Sequence, residues 1–140
     1  AAYRYGCNLD GYLKRMRHRF NGSHFDLLEW FSNFGAYRVV GGLNLLSKLL
    51  GKPGKMEVTG DNVYEMYQKG DLAGINDYCM FDTLDTYFVF LRSRVLTGDL
   101  TIEQEQELVQ KTKDWLTGRV EELPALRRYL ENWGDWSPWP

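Results

Sequence analysis

Tyr78 and Asp82 are the residues of this chain whose types and spacing could do chemistry. Residues four apart in a helix lie on the same face, and the segment around them, Ile75–Arg92, is apolar over most of a predicted helix. A buried carboxylate must be paired, hydrogen-bonded or metal-bound, because an isolated one costs too much desolvation. A phenol one turn away can hold a water molecule beside whatever the carboxylate binds. The pair therefore suits a metal site that hydrolyses phosphate esters with water.

The spacing by itself is a weak indication, because Tyr-x-x-x-Asp occurs twice in the chain. The second copy joins Tyr67 to Asp71, with a glycine between them that indicates a helix end before an aspartate N-cap. Its two side chains should therefore not share a helix face. For Tyr78 and Asp82, the alternative to a reactive site is a structural pair, satisfied by the backbone or by a neighbouring arginine.

The composition is that of an ordinary globular protein. The 140 residues suffice for a real core, and 44% hydrophobic and 26% charged residues are typical of soluble domains. No apolar run reaches membrane-spanning length, and no secretory leader opens the chain. Cys7 and Cys79 have no metal-ligand spacing, so we expect a reduced, cytoplasmic setting. Because the chain starts without methionine, as though in the middle of an element, we expect it to be part of a longer protein.

The net charge of −2 argues against a general polyanion-binding protein, but it hides a basic cluster. Within Lys14–Arg19, all positions but one are lysine, arginine or histidine. This cluster predicts either a nucleic-acid patch or a solvated basic face.

The elements that must position Tyr78 and Asp82 are predicted to be mainly helical, with one or two short strands. A short extended segment is expected around Phe25, after a turn at Asn21-Gly22. Apolar spacing, caps and breaks predict helices over about residues 28–33, 43–50, 63–69 after Asp61, from Asp71 past Val95, from Thr101 to about Leu116 and from Leu126 to Trp133. One core stripe is predicted on the long helix after Asp71, formed by Leu84, Phe88, Leu91 and Val95.

Several motifs taken together resemble a known family. They are His24–Leu28, Leu49–Lys55, Gly60–Val63 and Tyr78-Cys79-x-x-Asp82, followed by Thr86-Tyr87 and Leu91-Arg92. In order and approximate spacing, from about Tyr3 to Thr101, they resemble the predicted 3′-5′ exonucleases related to the proofreading domain of family B DNA polymerases, in the DEDD superfamily. The resemblance implies an α/β ribonuclease-H-like fold. This chain, 1–140, would be the mainly helical C-terminal part of one exonuclease domain, with a helical extension and Trp-rich tail over 101–140.

The resemblance also implies roles for the Tyr-x-x-x-Asp pair, which is the third motif of such exonucleases. Four acidic residues hold two divalent metals in that family. Asp82 would be the last metal-ligating carboxylate, and Tyr78 would orient the attacking water. The implied cofactor is Mg²⁺ or Mn²⁺, which takes oxygen ligands and clamps the attacking and leaving oxygens of a phosphodiester.

The chain departs from the family pattern in its first two motifs. The first, Asp-x-Glu, is nowhere in these residues. The second is either Asn21–Asp26, which would make Asp26 a metal ligand, or a segment upstream, because Ala2–Gly6 resembles the stretch that comes after the second motif in such exonucleases. In the latter case Asp26 would instead cap the next helix. Either way a complete two-metal site requires residues before Ala1, and this chain alone is expected to be inactive.

Two functional hypotheses remain open. The resemblance implies an exonuclease that acts on single-stranded DNA or RNA ends, because the terminal nucleotide must be unstacked to reach the metals. The alternative is a non-catalytic domain that keeps the scaffold to bind nucleic acid or a protein partner. The apolar surface left by the missing first strands would also invite self-association.

Other candidate residues carry less specific signals. Lys52 and Lys55, in a Gly-Pro turn, are predicted either to contact a phosphate backbone or to lie in a solvated turn. Asp85, close to Asp82 on the helix, should bond Arg92 or face water. Two tryptophans of the C-terminal tail could stack on an unpaired base or pack onto the surface.

Overall fold

The structure is a computed structural model that describes residues 25–56 and 58–135 of the 140-residue chain. The basic cluster of residues 14–19, Cys7, the Asn21-Gly22 turn and the tail tryptophans lie outside the described residues. The chain divides into two compact units, residues 1–39 and 40–140. No helix within the described ranges combines the length and apolarity needed to cross a membrane.

In the first unit, the described residues contain one short helix, α1, Leu27–Phe31. Asp26 caps it, because its Oδ1 accepts a 3.0 Å hydrogen bond from the Glu29 amide. The cap holds the helix start so close to Phe25 that the short strand expected there does not form. Across residues 25–56 and 58–135 the structure shows no strand at all, so the mainly helical prediction is confirmed and the strands are not.

The second unit is a set of helices around one long central helix. In chain order they are α2 Gly42–Leu49, a 3₁₀ helix Gly60–Asn62, α3 Val63–Gln68, α4 Leu72–Leu96, α5 Ile102–Thr117 and α6 Ala125–Glu131. α4 contacts α2, α3 and α5, and α5 contacts α6. Because neighbours cover α4 on several sides, its apolar residues are spread around the helix rather than confined to one stripe.

The helix starts follow local capping chemistry. Asp71 caps α4 as predicted, through a 2.9 Å hydrogen bond from the Gly74 amide to its Oδ1. The predicted Thr101–Gln104 capping box opens α5, with reciprocal bonds of 2.8 and 3.2 Å. Asp61 was predicted to cap α3, and this is wrong. The capping bonds lie at the preceding 3₁₀ helix, where Asn62 Oδ1 accepts from the Thr59 amide and hydroxyl at 3.0 and 2.8 Å. Asn62 is then the N-cap residue of α3.

The core lies where α4, α5 and α6 meet. Its buried members are Phe88, Leu91, Leu116, Leu126 and Tyr129. Of the stripe predicted on α4, Phe88 and Leu91 are buried and Leu84 packs against the cluster, whereas Val95 stays partly exposed. Burying each such side chain contributes about 1.5–3 kcal/mol, so this core fixes the central helix.

The chain after α6 is fastened to the loop after α2. The Gly134 amide donates a 2.9 Å hydrogen bond to the Gly51 carbonyl. Trp133 therefore packs against Phe88, with ring centroids 5.0 Å apart, and against the side chain of Lys52. The hydrogen bond from Gly134 to Gly51 therefore holds the start of the loop Lys52–Lys55 against the chain that follows α6.

Candidate functional site

The central helix α4 brings Tyr78 and Asp82 together on one face. The residues are four apart, so their side chains lie one turn from each other. Both are half-buried, and the Asp82 carboxylate lies near enough to the Tyr78 hydroxyl to raise its pKa. The second Tyr-x-x-x-Asp does not form such a pair, because Tyr67 ends α3 while Asp71 opens α4.

The Tyr78 hydroxyl is held in its neutral form. Burial is the main factor that raises its pKa above the ordinary value, and the hydrogen bond and charge of Asp82 add to it. The nearby charge of Asp61 acts in the same direction. At neutral pH the phenol is therefore a proton donor in hydrogen bonds, and not a phenolate.

The pair opens into a cavity of about 290 Å³. The apolar part of its lining includes Met56, Val58, Met66 and Phe81. The polar part consists of Lys55, Asp71, Asp77, Tyr78, Asp82 and Arg128. An apolar cavity with a few converging polar groups is the usual form of a small-ligand or substrate site.

Gly60, in the 3₁₀ helix, lies beside the Tyr78 hydroxyl. A Cβ placed at Gly60 would lie 3.9 Å from the Tyr78 Oη, so the backbone there runs directly past the phenol. Asp61 follows Gly60 in the chain, and its charge raises the pKa of Tyr78. Sequence reasoning missed Asp77 and Arg128 as residues that line the cavity. Asp77 adjoins the motif, but no local signal connects Arg128, in α6, to this helix.

Asp85 faces the core instead of the cavity. It is 2% exposed, and Tyr129 Oη donates a 2.7 Å hydrogen bond to its Oδ1. Both predictions for Asp85 are wrong, because Arg92 is bound by Glu105, with Nε 2.9 Å from each carboxylate oxygen. Burial raises the pKa of Asp85, while the Tyr129 hydrogen bond opposes that shift. The same contact, with burial, raises the pKa of Tyr129.

The two predicted lysines lie in different surroundings. Lys55 is exposed and lines the cavity, and its amide is fixed by a 2.8 Å hydrogen bond to Asn44 Oδ1. Lys52 is only 7% exposed, with its Nζ 4.0 Å from the centre of the Trp133 ring. A solvated turn therefore describes Lys55 but is wrong for Lys52.

Asp26 lies in the first unit, as the N-cap of α1. Its Oδ1 is used by the Glu29 amide. Capping is thus its observed role, and a second role as a metal ligand stays a prediction.

The described residues fit a two-metal site only in part. Between residues 25 and 135, apart from the undescribed residue 57, no three His, Cys, Asp or Glu side chains are grouped so that they could hold a metal ion. Asp82 offers one carboxylate to the cavity, whereas Asp71 already caps α4. A divalent cation with six or more oxygen ligands would need others from elsewhere in the protein.

The long helix α4 carries the Tyr-x-x-x-Asp pair, one of the motifs in the resemblance to nucleases, beside a partly acidic cavity. The family described as predicted 3′-5′ exonucleases related to the exonuclease domain of PolB matches residues 7–133. The chain therefore belongs to this family. The match continues past Thr101 and takes in α5 and α6. No match was found among curated proteins or among solved structures.

Proposed function

We propose that the complete protein is a metal-dependent 3′-5′ exonuclease that hydrolyses phosphodiester bonds at single-stranded nucleic-acid ends. The observation that carries this proposal is the meeting of Tyr78 and Asp82 at a cavity of about 290 Å³. Membership of the exonuclease family supports the same activity. The cavity volume is slightly below the roughly 300 Å³ at which pockets for drug-sized ligands begin. It therefore suits a terminal nucleotide of which only a part lies inside the cavity.

In this proposal Asp82 is one carboxylate of a set that binds Mg²⁺ or Mn²⁺. Its half-buried position beside a phenol supports the role, because a partly desolvated carboxylate needs a partner. Asp26 is the second candidate ligand within this chain. The remaining carboxylates would come from residues upstream of Ala1.

Tyr78 is assigned to positioning the water that attacks phosphorus. Its raised pKa keeps the hydroxyl protonated, so it can orient a water oxygen by donating a hydrogen bond but cannot act as a phenolate base. A role in positioning requires the hydroxyl, whereas packing would require only the ring.

Lys55 and Arg128 supply positive charge at the same cavity. Cationic side chains that contact phosphate oxygens fix a strand in register without reading its sequence. The pair therefore supports a nuclease that accepts many sequences, and it is equally compatible with DNA and RNA.

The setting and assembly of the protein are also part of the proposal. Cys79 is an exposed free thiol, which fits the reducing cytoplasm that we propose for it. Large apolar side chains, including Leu96 at 64% and Trp115 at 54% exposure, support self-association of the isolated chain.

The rival proposal is a non-catalytic domain that binds nucleic acid or a protein on the same scaffold. It is favoured by one observation, namely that the described residues contain no group of three potential metal ligands. An Asp-x-Glu strand upstream of Ala1 in the complete protein would support the enzyme, and a start codon at this point would support the rival.

The deciding experiment incubates the 140-residue chain and the complete protein with 3′-labelled single-stranded DNA and RNA, with and without Mn²⁺. We expect metal-dependent trimming by the complete protein alone. Trimming by the 140-residue chain would show that the catalytic carboxylates are misassigned. Inactivity of both proteins would favour the non-catalytic domain.

A further inference from the structure

Lys52 is a buried cation whose ammonium lacks a hydrogen-bonding partner within the described part of the chain. It is 7% exposed, and its Nζ lies over two aromatic rings, 4.0 Å from the centre of Trp133 and 5.0 Å from that of Phe88. Aromatic faces attract a cation, but they do not satisfy its three N–H donors. The Nζ is not one of the fully enclosed polar atoms without a partner, so its acceptor must come from water or a ligand in the space that Lys52 lines.

The ammonium lines a second pocket, of about 250 Å³, which is distinct from the cavity at Tyr78. Two further cations line this pocket, Arg92 and Lys113. Lys113 Nζ lies 5.3 Å from the centre of the Trp133 ring, so two lysines flank one indole. Gln106 and Gln110 add side-chain amides to the lining.

We propose that this pocket binds one backbone phosphodiester of a nucleic-acid strand, with Lys52 as its central contact. This inference rests on the proposed nuclease function, and it adds a second contact point for the strand, outside the site of hydrolysis. Phosphate groups are the ligands for which clustered lysine and arginine donors are best suited.

The charge of the lining selects a phosphodiester over a terminal phosphate. Two carboxylates, Glu105 and Asp135, accompany the three cations, and Arg92 is paired with Glu105 at 2.8 Å. The lining therefore carries one excess positive charge when Lys52 is protonated. A phosphodiester carries a single negative charge, whereas a phosphomonoester carries about two at neutral pH.

The size and place of the pocket agree with a strand that extends from the cavity. A volume of about 250 Å³ suits a phosphate group with part of its sugar, rather than a complete small-molecule ligand. Lys52 lines this pocket, and Lys55, three residues on, lines the cavity at Tyr78. Three extended residues span at most about 11 Å, so one short strand can reach both pockets.

The protonation of Lys52 supplies an independent readout of binding. The pKa of Lys52 is lowered to about 8, mainly by burial. The charges of Lys113 and Arg92 contribute to this lowering, while those of Glu105 and Asp85 oppose it. A bound phosphodiester adds negative charge, so it should raise the pKa of Lys52 towards the ordinary lysine value.

The test is carried out on the complete protein in EDTA, so that binding is measured without digestion. Affinity for a short single-stranded oligothymidylate is measured over a range of salt concentrations for wild type, Lys52→Met and Lys113→Gln. Each phosphate contact contributes about 0.7 to the slope of log K against log salt for single strands. Lys52→Met should reduce the magnitude of the slope by about this amount and weaken binding.

The matched control is Lys111→Gln, on the same helix as Lys113. Its side chain is 74% exposed, pairs with Glu107 and lies outside the pocket, so its loss removes the same charge without the contact. We expect an unchanged slope for this variant. Lys113→Gln, in which the buried lysine is intact, keeps the test decisive if Lys52→Met fails to fold.

Titration of the lysine side chains by NMR then distinguishes a nucleic-acid phosphodiester from free inorganic phosphate as the ligand. In the expected result, the oligonucleotide raises the pKa of Lys52 and inorganic phosphate does so only weakly. A Lys52 signal that responds to inorganic phosphate alone, or equal slopes in wild type and both pocket variants, would overturn the proposal. Failure of the nuclease assay with these binding results intact would reject catalysis and keep the strand contact.

Discussion

Tyr129 in α6 donates a 2.7 Å hydrogen bond to the carboxylate of Asp85 in α4, 44 positions earlier in the chain. Both side chains are buried, at 0% and 2% exposure. The bond ties the last helix to the central one, one turn beyond Asp82. The relationship explains how α6 is held so that Arg128 reaches the cavity while its neighbour Tyr129 faces the core.

The stability of the protein should therefore depend on Asp85 in a pH-dependent manner. Burial raises its pKa, so the folded state holds the proton more tightly than the unfolded state. The stabilisation is complete below the ordinary pKa of about 4 and is lost as pH rises through the folded-state pKa. Asp85→Asn keeps an acceptor for Tyr129 but cannot ionise. Its stability relative to wild type should therefore increase as pH rises through the folded-state pKa of Asp85. Urea unfolding at several pH values measures the difference.

Asp85→Ala serves as the comparison for that experiment. It leaves the Tyr129 hydroxyl buried without its acceptor, so it should be less stable than Asp85→Asn by about 1–3 kcal/mol at all pH values. A difference between wild type and Asp85→Asn that does not change with pH would contradict the assigned pKa shift.

Asp82→Asn should abolish Mg²⁺- or Mn²⁺-dependent digestion by the complete protein and leave the fold intact. A metal ligand is lost, whereas the size of the side chain is kept. The loss should exceed tenfold by a wide margin, at about 1.4 kcal/mol per tenfold change in rate. Rates on 3′-labelled single strands and thermal melting measure the two effects. Asp114→Asn, on the exposed face of α5, is the control. Near-normal digestion by Asp82→Asn would rule out Asp82 as a metal ligand.

Tyr78→Phe should reduce hydrolysis by roughly 10- to 1000-fold, the range of a group that positions or transfers a proton. The melting temperature should change little, because the ring and its volume are kept. The matched control is Tyr67→Phe, from the second Tyr-x-x-x-Asp, whose side chain is 66% exposed. If Tyr78→Phe instead melts early, with a rate that follows the folded fraction, Tyr78 is structural.

The parts of the structure that sequence predicted are those that depend on near neighbours. Asp71 caps α4, and Thr101 with Gln104 opens α5, because a cap joins residues three apart. Tyr78 and Asp82 meet for the same reason, since one helical turn joins them. The spacing of residues within a single segment is enough to predict such relationships.

The features that the sequence did not predict depend on which elements of the fold pack against each other. Nothing in the periodicity of α4 indicates that Asp85 meets Tyr129, or that Lys52 lies under Trp133. Lys52 looks like a turn residue from its neighbours, and it is buried only because the chain after α6 is bonded to Gly51. The strand expected around Phe25 failed for a local reason, since the cap begins a helix there.

Lys52 should make the stability of the protein rise with pH in the mildly alkaline range. Its pKa of about 8 lies below the ordinary lysine value, so the unfolded state binds more protons between about pH 8 and 10.5. The free energy of unfolding should increase by up to about 1.4 kcal/mol per pH unit there. Lys52→Met should lose this increase, and Lys55→Met, at an exposed site, should retain it. Urea unfolding between pH 8 and 9.5 makes the comparison before tyrosines ionise, and equal slopes for both variants would refute the buried charge.

The 140-residue chain by itself should bind Mg²⁺ with a dissociation constant no tighter than about 1 mM. Asp82, even joined by Asp26, offers too few oxygen ligands, and no three potential metal ligands are grouped within the described residues. If carboxylates upstream of Ala1 complete the site, as proposed, the complete protein should bind Mg²⁺ at least tenfold more tightly, and Asp82→Asn should lose this gain. Isothermal titration of both proteins measures the difference. Tight binding by the 140-residue chain, unaffected by Asp82→Asn, would place the metal elsewhere in the molecule and remove the reason for assigning Asp82 as its ligand.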